Sequence, residues 1–138
     1  MKLQDFLNNT PASTEEEVAV SKRLVDPDTG ELYKFKIRPL TDKEYENARN
    51  LATTLPKRKK DPAKFNNSLF DEKIVIDCTI YPNFKDAHSI QATGCISPEQ
   101  YLHKVLLPGE VSELSNRIIA LSGFDNDMDE LIEDAKNS

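Results

Sequence analysis

Residues 97–123 read SPEQYLHKVLLPGEVSELSNRIIALSG, and they hold two helix starts with a stop signal after each, which constrains the fold more than any other part of the chain. Ser97 is placed to cap a helix, and Pro98 suits the first helical position, where its missing N–H would have no partner anyway. Gln100, three residues past the cap, is set to reach back to the backbone, and Ile96 and Tyr101 have the spacing of a hydrophobic staple. That helix ends before Pro108, and the next runs from Pro108 until Gly123 stops it. Along the second helix Val111, Leu114, Ile118 and Leu121 recur at three- and four-residue spacings, which make one continuous apolar stripe. A further stripe of Met128, Leu131, Ile132 and Ala135 follows, on a helix expected from about Asn126 to Lys136. Two short amphipathic helices carrying many carboxylates imply a surface built for contact and not for chemistry.

The same punctuation recurs upstream. Thr41 with Glu44 three residues later forms a capping box, and Leu40 is positioned to staple onto Tyr45, so a helix begins at residue 41. Before it, residues 16–40 hold two runs of β-favouring residues around Asp26-Pro27-Asp28-Thr29-Gly30, a strong turn composition, and predict an antiparallel hairpin. Tyr33, Phe35 and Ile37 share one face of its second run and are expected to bury against helices. Residues 70–81 carry both a strand-like run, Ile74 to Ile76, and a helical face of Phe70, Ile74, Cys78 and Tyr81. Length, Asp71 and Glu72 in a first turn, and Pro82 just beyond favour a buried helix. A short helix from about Asp86 to Thr93, stopped by Gly94, follows. The fold class expected is mainly α within α+β: a small helical domain with an N-terminal antiparallel β-hairpin.

With 138 residues the chain has room for one domain and too little for two. Residues 1–138 are therefore read as a single domain, with residues 1–15 a flexible tail of about one helical turn and residues 53–67 a basic internal loop between prolines. Net charge is −6, but residues 1–69 hold 13 basic and 11 acidic side chains against 5 and 13 in residues 70–138, so the halves carry +2 and −8. An acidic half repels phosphate backbones, which argues against a general nucleic-acid binder. No apolar run reaches the length of a membrane span, and Gln4 and Asp5 interrupt the N-terminal apolar cluster, unlike a signal peptide. A cytosolic protein is expected. Cys78 and Cys95 form no C-x-x-C pair and are expected to be reduced, buried thiols.

The patterns that resemble chemical sites fail on inspection. Asp125, Asp127 and Asp129 open like a calcium loop, but positions six and twelve hold Glu130 and Lys136 where glycine and glutamate are needed. Acidic residues at a helix N-terminus account for them better. Cys78, Cys95, His88 and His103 lack the close spacings of a structural zinc site, so no metal ligands are assigned. No serine, cysteine or lysine sits in a nucleophile motif, so no catalytic residue, no cofactor site and no enzymatic activity are expected. Lys57, Arg58, Lys59 and Lys60 could grip phosphate, but without interleaved aromatic rings they read as a solvated loop. A small nucleic-acid-associated regulator acting through that loop remains the alternative reading.

The order of features is the more telling signal: a hairpin leading into Arg38-Pro39-Leu40-Thr41, then the segment YPNFKDA, then Leu107-Pro108-Gly109-Glu110 with Leu114, Ile118, Leu121, Gly123 and Phe124, then an acidic terminal helix. Over most of residues 16–136 this order resembles the XkdN-like phage tail assembly chaperones; the basic loop does not carry over. The resemblance implies a phage or prophage protein acting in the host cytoplasm and absent from the mature virion. It implies that the tape measure protein and the tail tube protein are its partners, with self-association possible and neither membrane nor nucleic acid involved. On that reading the partner-facing residues expected are Ile119, at the edge of the stripe about 100° around the helix from Ile118, and Met128, Leu131 and Ile132 of the last helix.

Overall fold

The computed structural model describes residues 1–10, 12 and 14–124. Among these the elements run α1 (Leu3–Asn9), β1 (Glu16–Val18), β2 (Phe35–Ile37), α2 (Asp42–Ala52), β3 (Thr53–Thr54), β4 (Lys64–Phe65), α3 (Asn67–Cys78), β5 (Thr79–Tyr81), α4 (Ala87–Ala92), α5 (Pro98–Val105) and α6 (Pro108–Leu121). The protein is a helical α+β domain with a small antiparallel sheet, as the sequence patterns predict. The helix expected from about Asn126 to Lys136, with Met128, Leu131 and Ile132, lies outside the described residues, as does the acidic run from Asp125.

The N-terminal hairpin forms, with Glu16 opposite Ile37 and Val18 opposite Phe35, and an isolated bridge joins Val25 to Leu32 nearer the turn. Gly30 closes that turn at φ 76°, a left-handed conformation that a side chain would strain. The face it buries is shorter than expected. Phe35 and Ile37 are in the core, but Tyr33 is 50% exposed, because it lies beyond the paired part of β2 and looks into an open recess. A third strand, β5, completes the sheet in the order β1-β2-β5, pairing antiparallel with β2 across an irregular register.

That strand corrects the reading of residues 70–81 as one helix. The helix instead starts earlier, at Asn67, where the Asn66 side chain accepts from the Leu69 amide at 3.1 Å, and it ends at Cys78. Asp71 and Glu72 therefore lie beyond its first turn. The end has two physical causes. A residue preceding proline is pushed toward extended backbone, which ends helical geometry before Tyr81-Pro82, and β2 offers an open edge to the β-favouring Thr79, Ile80 and Tyr81.

Helix α3 is the centre of the domain, packed against α2, α5 and α6. Ile74, Val75, Ile76 and Cys78 are all buried, three of them successive, so the C-terminal half of α3 is enclosed on several sides. Ala48 and Ala52 of α2, Leu102 of α5, and Val111, Leu114 and Ile118 of α6 close over it, with Phe84 from the loop after β5. The stripe expected on α6 is thus the core-facing side of that helix, with Leu121 packed at its margin.

Two arginines tie the sheet to the helices. Arg38 places its guanidinium on Glu44 at 2.8 and 2.7 Å and donates to the Asp77 carbonyl at 2.8 Å, while its amide donates to the Cys78 carbonyl at 3.0 Å. One residue thus braces the start of α2 and satisfies two carbonyls at the end of α3. Arg23 does the same for α5 and α6, donating to Glu110 at 3.1 and 2.7 Å and to the Val105 carbonyl at 3.1 Å. Glu110 itself accepts from the Leu107 amide at 2.7 Å and caps α6. These pairings hold both carboxyls far below the ordinary range, at about 2, mainly through the arginine hydrogen bonds.

Candidate docking groove

A groove of about 490 Å³ opens where α2, α3 and α6 meet, and its walls are aromatic: Tyr45 from α2, Phe65 from β4, Phe70 from α3 and Phe124 beyond α6. Each is brought there by a local device. The Thr41 capping box, with its two hydrogen bonds of 3.2 and 3.0 Å, fixes the first turn of α2 and hence Tyr45. The β3–β4 ladder pairs Thr53 with Phe65, and the Asn66 amide donates to the Ala52 carbonyl at 2.8 Å, which sets Phe65 beside α2. At the far end Gly123 adopts φ 93°. Its amide donates to the Ala120 carbonyl at 3.1 Å and the Phe124 amide to the Ile119 carbonyl at 3.2 Å. That pair of bonds is the Schellman termination, in which the residue after the glycine folds back over the last helical turn.

The rings touch in sequence. Phe124 stacks on Tyr45 with centroids 4.8 Å apart, Tyr45 meets Phe70 edge-on at 6.1 Å, and Phe70 meets Phe65 at 5.3 Å. The Arg49 guanidinium lies 5.7 Å from the centroids of both Tyr45 and Phe65, where it interacts with the faces of the two rings. Phe124 and Phe65 are nevertheless exposed to about half of their area, at 55% and 43%. A chain of aromatic rings this open presents flat, rigid apolar area that loses little entropy on binding. Asn67, Ser112 and Asn116 supply a polar rim, and Asp71 on the same rim is held by the buried Ser115 hydroxyl at 2.7 Å.

Ile119, singled out from the helical wheel as the edge of the α6 stripe, lines this groove and is half-buried, while Ile118 beside it is fully enclosed. Met128, Leu131 and Ile132 belong to the undescribed segment that begins at Asp125, so the structure does not bring them to or away from Ile119. Sequence reasoning missed Phe65, Phe124 and Arg49 as groove residues. Tyr45 and Phe70 were read only as a staple and a core face. No local spacing links these five positions, which meet only once α2, α3 and α6 are packed.

The other sequence candidates are dispersed. Cys78 is buried at the end of α3, and Cys95 is half-buried after α4; both are free thiols. His103 on α5 pairs with Glu72 at 2.6 Å. Among the described residues no three potential ligands gather as a metal site, and no helix is long and apolar enough to cross a membrane. The four basic residues 57–60 are exposed in the connection between β3 and β4. The expected Ile96–Tyr101 staple is absent: Ile96 is 86% exposed, and its amide donates to the Gln100 side chain at 3.0 Å instead.

The profile of the phage XkdN-like tail assembly chaperone proteins matches residues 3–136. The chain belongs to that family. It is 31% identical over 142 aligned residues to the phage-like element PBSX protein XkdN of Bacillus subtilis strain 168, covering 98% of this chain and 93% of that protein. It is 30% identical over 131 residues to the uncharacterized protein YqbN of the same organism, covering 93% and 87% of the two chains. The crystal structure of the protein YqbN superposes with a TM-score of 0.68 at 27% identity, over 91% of this chain and 98% of that one. The XkdN-like chaperone described here is thus a phage tail morphogenesis factor whose family is defined by assembly and not by catalysis.

Proposed function

We propose that this chaperone binds the tape measure protein of its phage in the host cytoplasm, keeps that long helical protein soluble, and helps to recruit tail tube subunits around it, without entering the mature virion. The observation that carries the reading is an open aromatic groove on a member of a tail assembly family. An amphipathic helix presents apolar side chains at i, i+3, i+4 and i+7, and a groove walled by rings with Ile119 at its side accepts such a row. Met128, Leu131 and Ile132 add a second apolar row, and the carboxylates around them keep the complex from aggregating through net negative charge.

The test is co-expression of the tape measure protein with and without the chaperone. The soluble fraction of the tape measure protein is expected to rise severalfold, with the chaperone co-purifying. An unchanged soluble fraction, with no chaperone retained, would contradict this assignment of the client.

A further inference from the structure

Beyond Phe65 the wall of the groove continues into the most basic stretch of the chain. Tyr45 and Arg49 lie one turn apart on α2, Thr53 caps that helix one turn later, and Thr53 pairs with Phe65 across the β3–β4 ladder. The hairpin that this ladder closes carries Lys57, Arg58, Lys59, Lys60 and Lys64 against one carboxylate, Asp61. All of these cations are exposed, and neither they nor Arg49 form an ion pair among the described residues. Given that the groove docks a client helix, we propose that the hairpin selects and orients it, taking a helix whose apolar row is followed, two to three turns on, by a cluster of carboxylates.

The hairpin is held in place beside the groove. Its base is the ladder, extended by the Asn66 amide on the Ala52 carbonyl at 2.8 Å. Its tip is closed by the Asp61 amide on the Arg58 carbonyl at 3.1 Å, between Pro56 and Pro62, whose rings fix φ. The basic tip stands four to five residues beyond the Thr53–Phe65 pair, a reach of up to about 13–16 Å at about 3.3 Å per residue. That is two to three turns of a helix at about 5.4 Å each, which sets the spacing between the apolar row and the carboxylates of the partner.

The charge there is the reverse of the chain's own. A protein of net charge −6 gathers these cations at one end of its groove, while Asp71, the carboxylate that lines the groove, is engaged by the Ser115 hydroxyl at 2.7 Å. Four successive cations on an anchored tip repel one another, and an acidic partner relieves that repulsion where a neutral or basic one does not. A nucleic acid fits less well. Bases stack on open ring faces, but Phe124 covers a face of Tyr45 at 4.8 Å, and the Arg49 guanidinium lies over both Tyr45 and Phe65. The acidic half of the chain also repels a phosphate backbone that runs on past the hairpin.

The experiment measures binding of the full chain to three dye-labelled helical peptides by fluorescence anisotropy. All share one apolar row, and the residues two to three turns beyond it are Glu, Gln or Lys. The Glu peptide should bind about tenfold more tightly than the Gln peptide, through several exposed ion pairs that are each weak, and the Lys peptide should bind most weakly. Lys57→Glu, Arg58→Glu, Lys59→Glu and Lys60→Glu together should reverse that order with the melting temperature unmoved, and about 0.5 M salt should bring the three affinities together. Ile119→Asp should weaken all three alike, which separates a failure of the groove from a failure of charge selection. Equal binding of the Glu and Gln peptides, or a preference that the charge reversal leaves intact, would overturn the proposal. So would tighter binding of a short single-stranded RNA than of the Glu peptide, or a wild-type dimer that the reversal dissociates, since these place phosphates or a second copy on the hairpin. A tape measure protein that fails to co-purify while the Glu preference holds would count against that client and leave the charge selection standing.

Discussion

The amide of Phe124 donates to the carbonyl of Ile119 at 3.2 Å, so the residue that stacks on Tyr45 is fixed to the half-buried isoleucine of α6 by one backbone bond. Gly123 makes that bond possible through its left-handed φ of 93°, and nothing lies within 4 Å of where a Cβ would stand. Gly123→Ala is therefore expected to cost about 1 kcal/mol through backbone strain alone. The ring-current shifts on Tyr45 should change as Phe124 leaves it. Gly109→Ala, at an α6 position with ordinary φ and equally open space, should be neutral or slightly stabilising. Thermal melts of the two variants side by side check the contrast.

Glu110 and Glu44 should give the protein a distinct acid limb. Both carboxyls are held at about 2 in the folded protein, from an ordinary 4.5, first by hydrogen bonds from Arg23 and Arg38 respectively. A lowered folded-state value means that the stabilisation is complete above about pH 4.5 and is lost as pH falls from there toward 2. Glu110→Gln removes one of these contributions. Its stability should fall by about 1–3 kcal/mol at neutral pH, with a shallower loss on acidification than wild type. Denaturant melts from about pH 6 down to about pH 3 measure both.

The two arginine braces explain which part of the protein could be read from its sequence. Arg38-Pro39-Leu40-Thr41 and Leu107-Pro108-Gly109-Glu110 work locally: Thr41 caps within three residues, and Glu110 caps its own helix. Their spacing therefore carries the signal. The long-range half of each brace, Arg23 to Glu110 and Arg38 to Asp77, leaves no such pattern. Strand β5 was hidden for a related reason, since Thr79 to Tyr81 continue a helical face and turn extended only because Pro82 follows and β2 has an open edge. Ile119 could be picked from the periodicity of α6. The rings around it could not, because Phe65 sits in a two-residue ladder and Phe124 beyond a glycine, outside any periodic run.

The cysteines should differ sharply in reactivity. Burial pushes the Cys78 thiol up to about 12, and its side chain is enclosed at the end of α3. Only a thiolate reacts readily, so Cys78 should label only when the chain unfolds globally. Cys95 is half-buried and should label in the folded protein. Mass spectrometry after timed thiol labelling should find one modified cysteine per native chain and two in denaturant.

Leu114 and Ile118 are fully enclosed against α3, and truncating either to alanine should cost about 2–5 kcal/mol through the cavity left behind. Binding by these variants should fall only as far as the fold does. They are the reference for a core lesion on the same helix that carries the groove residue.

The claim that the groove is the docking surface is tested most directly by Ile119→Asp, scored in one preparation for melting temperature and for co-purification of the tape measure protein. Because Ile119 is half-buried at the groove wall, the melting temperature should stay within a few degrees of wild type. Recovery of the tape measure protein should drop at least tenfold. A folded Ile119→Asp chain that retains its client at the wild-type level would contradict the account.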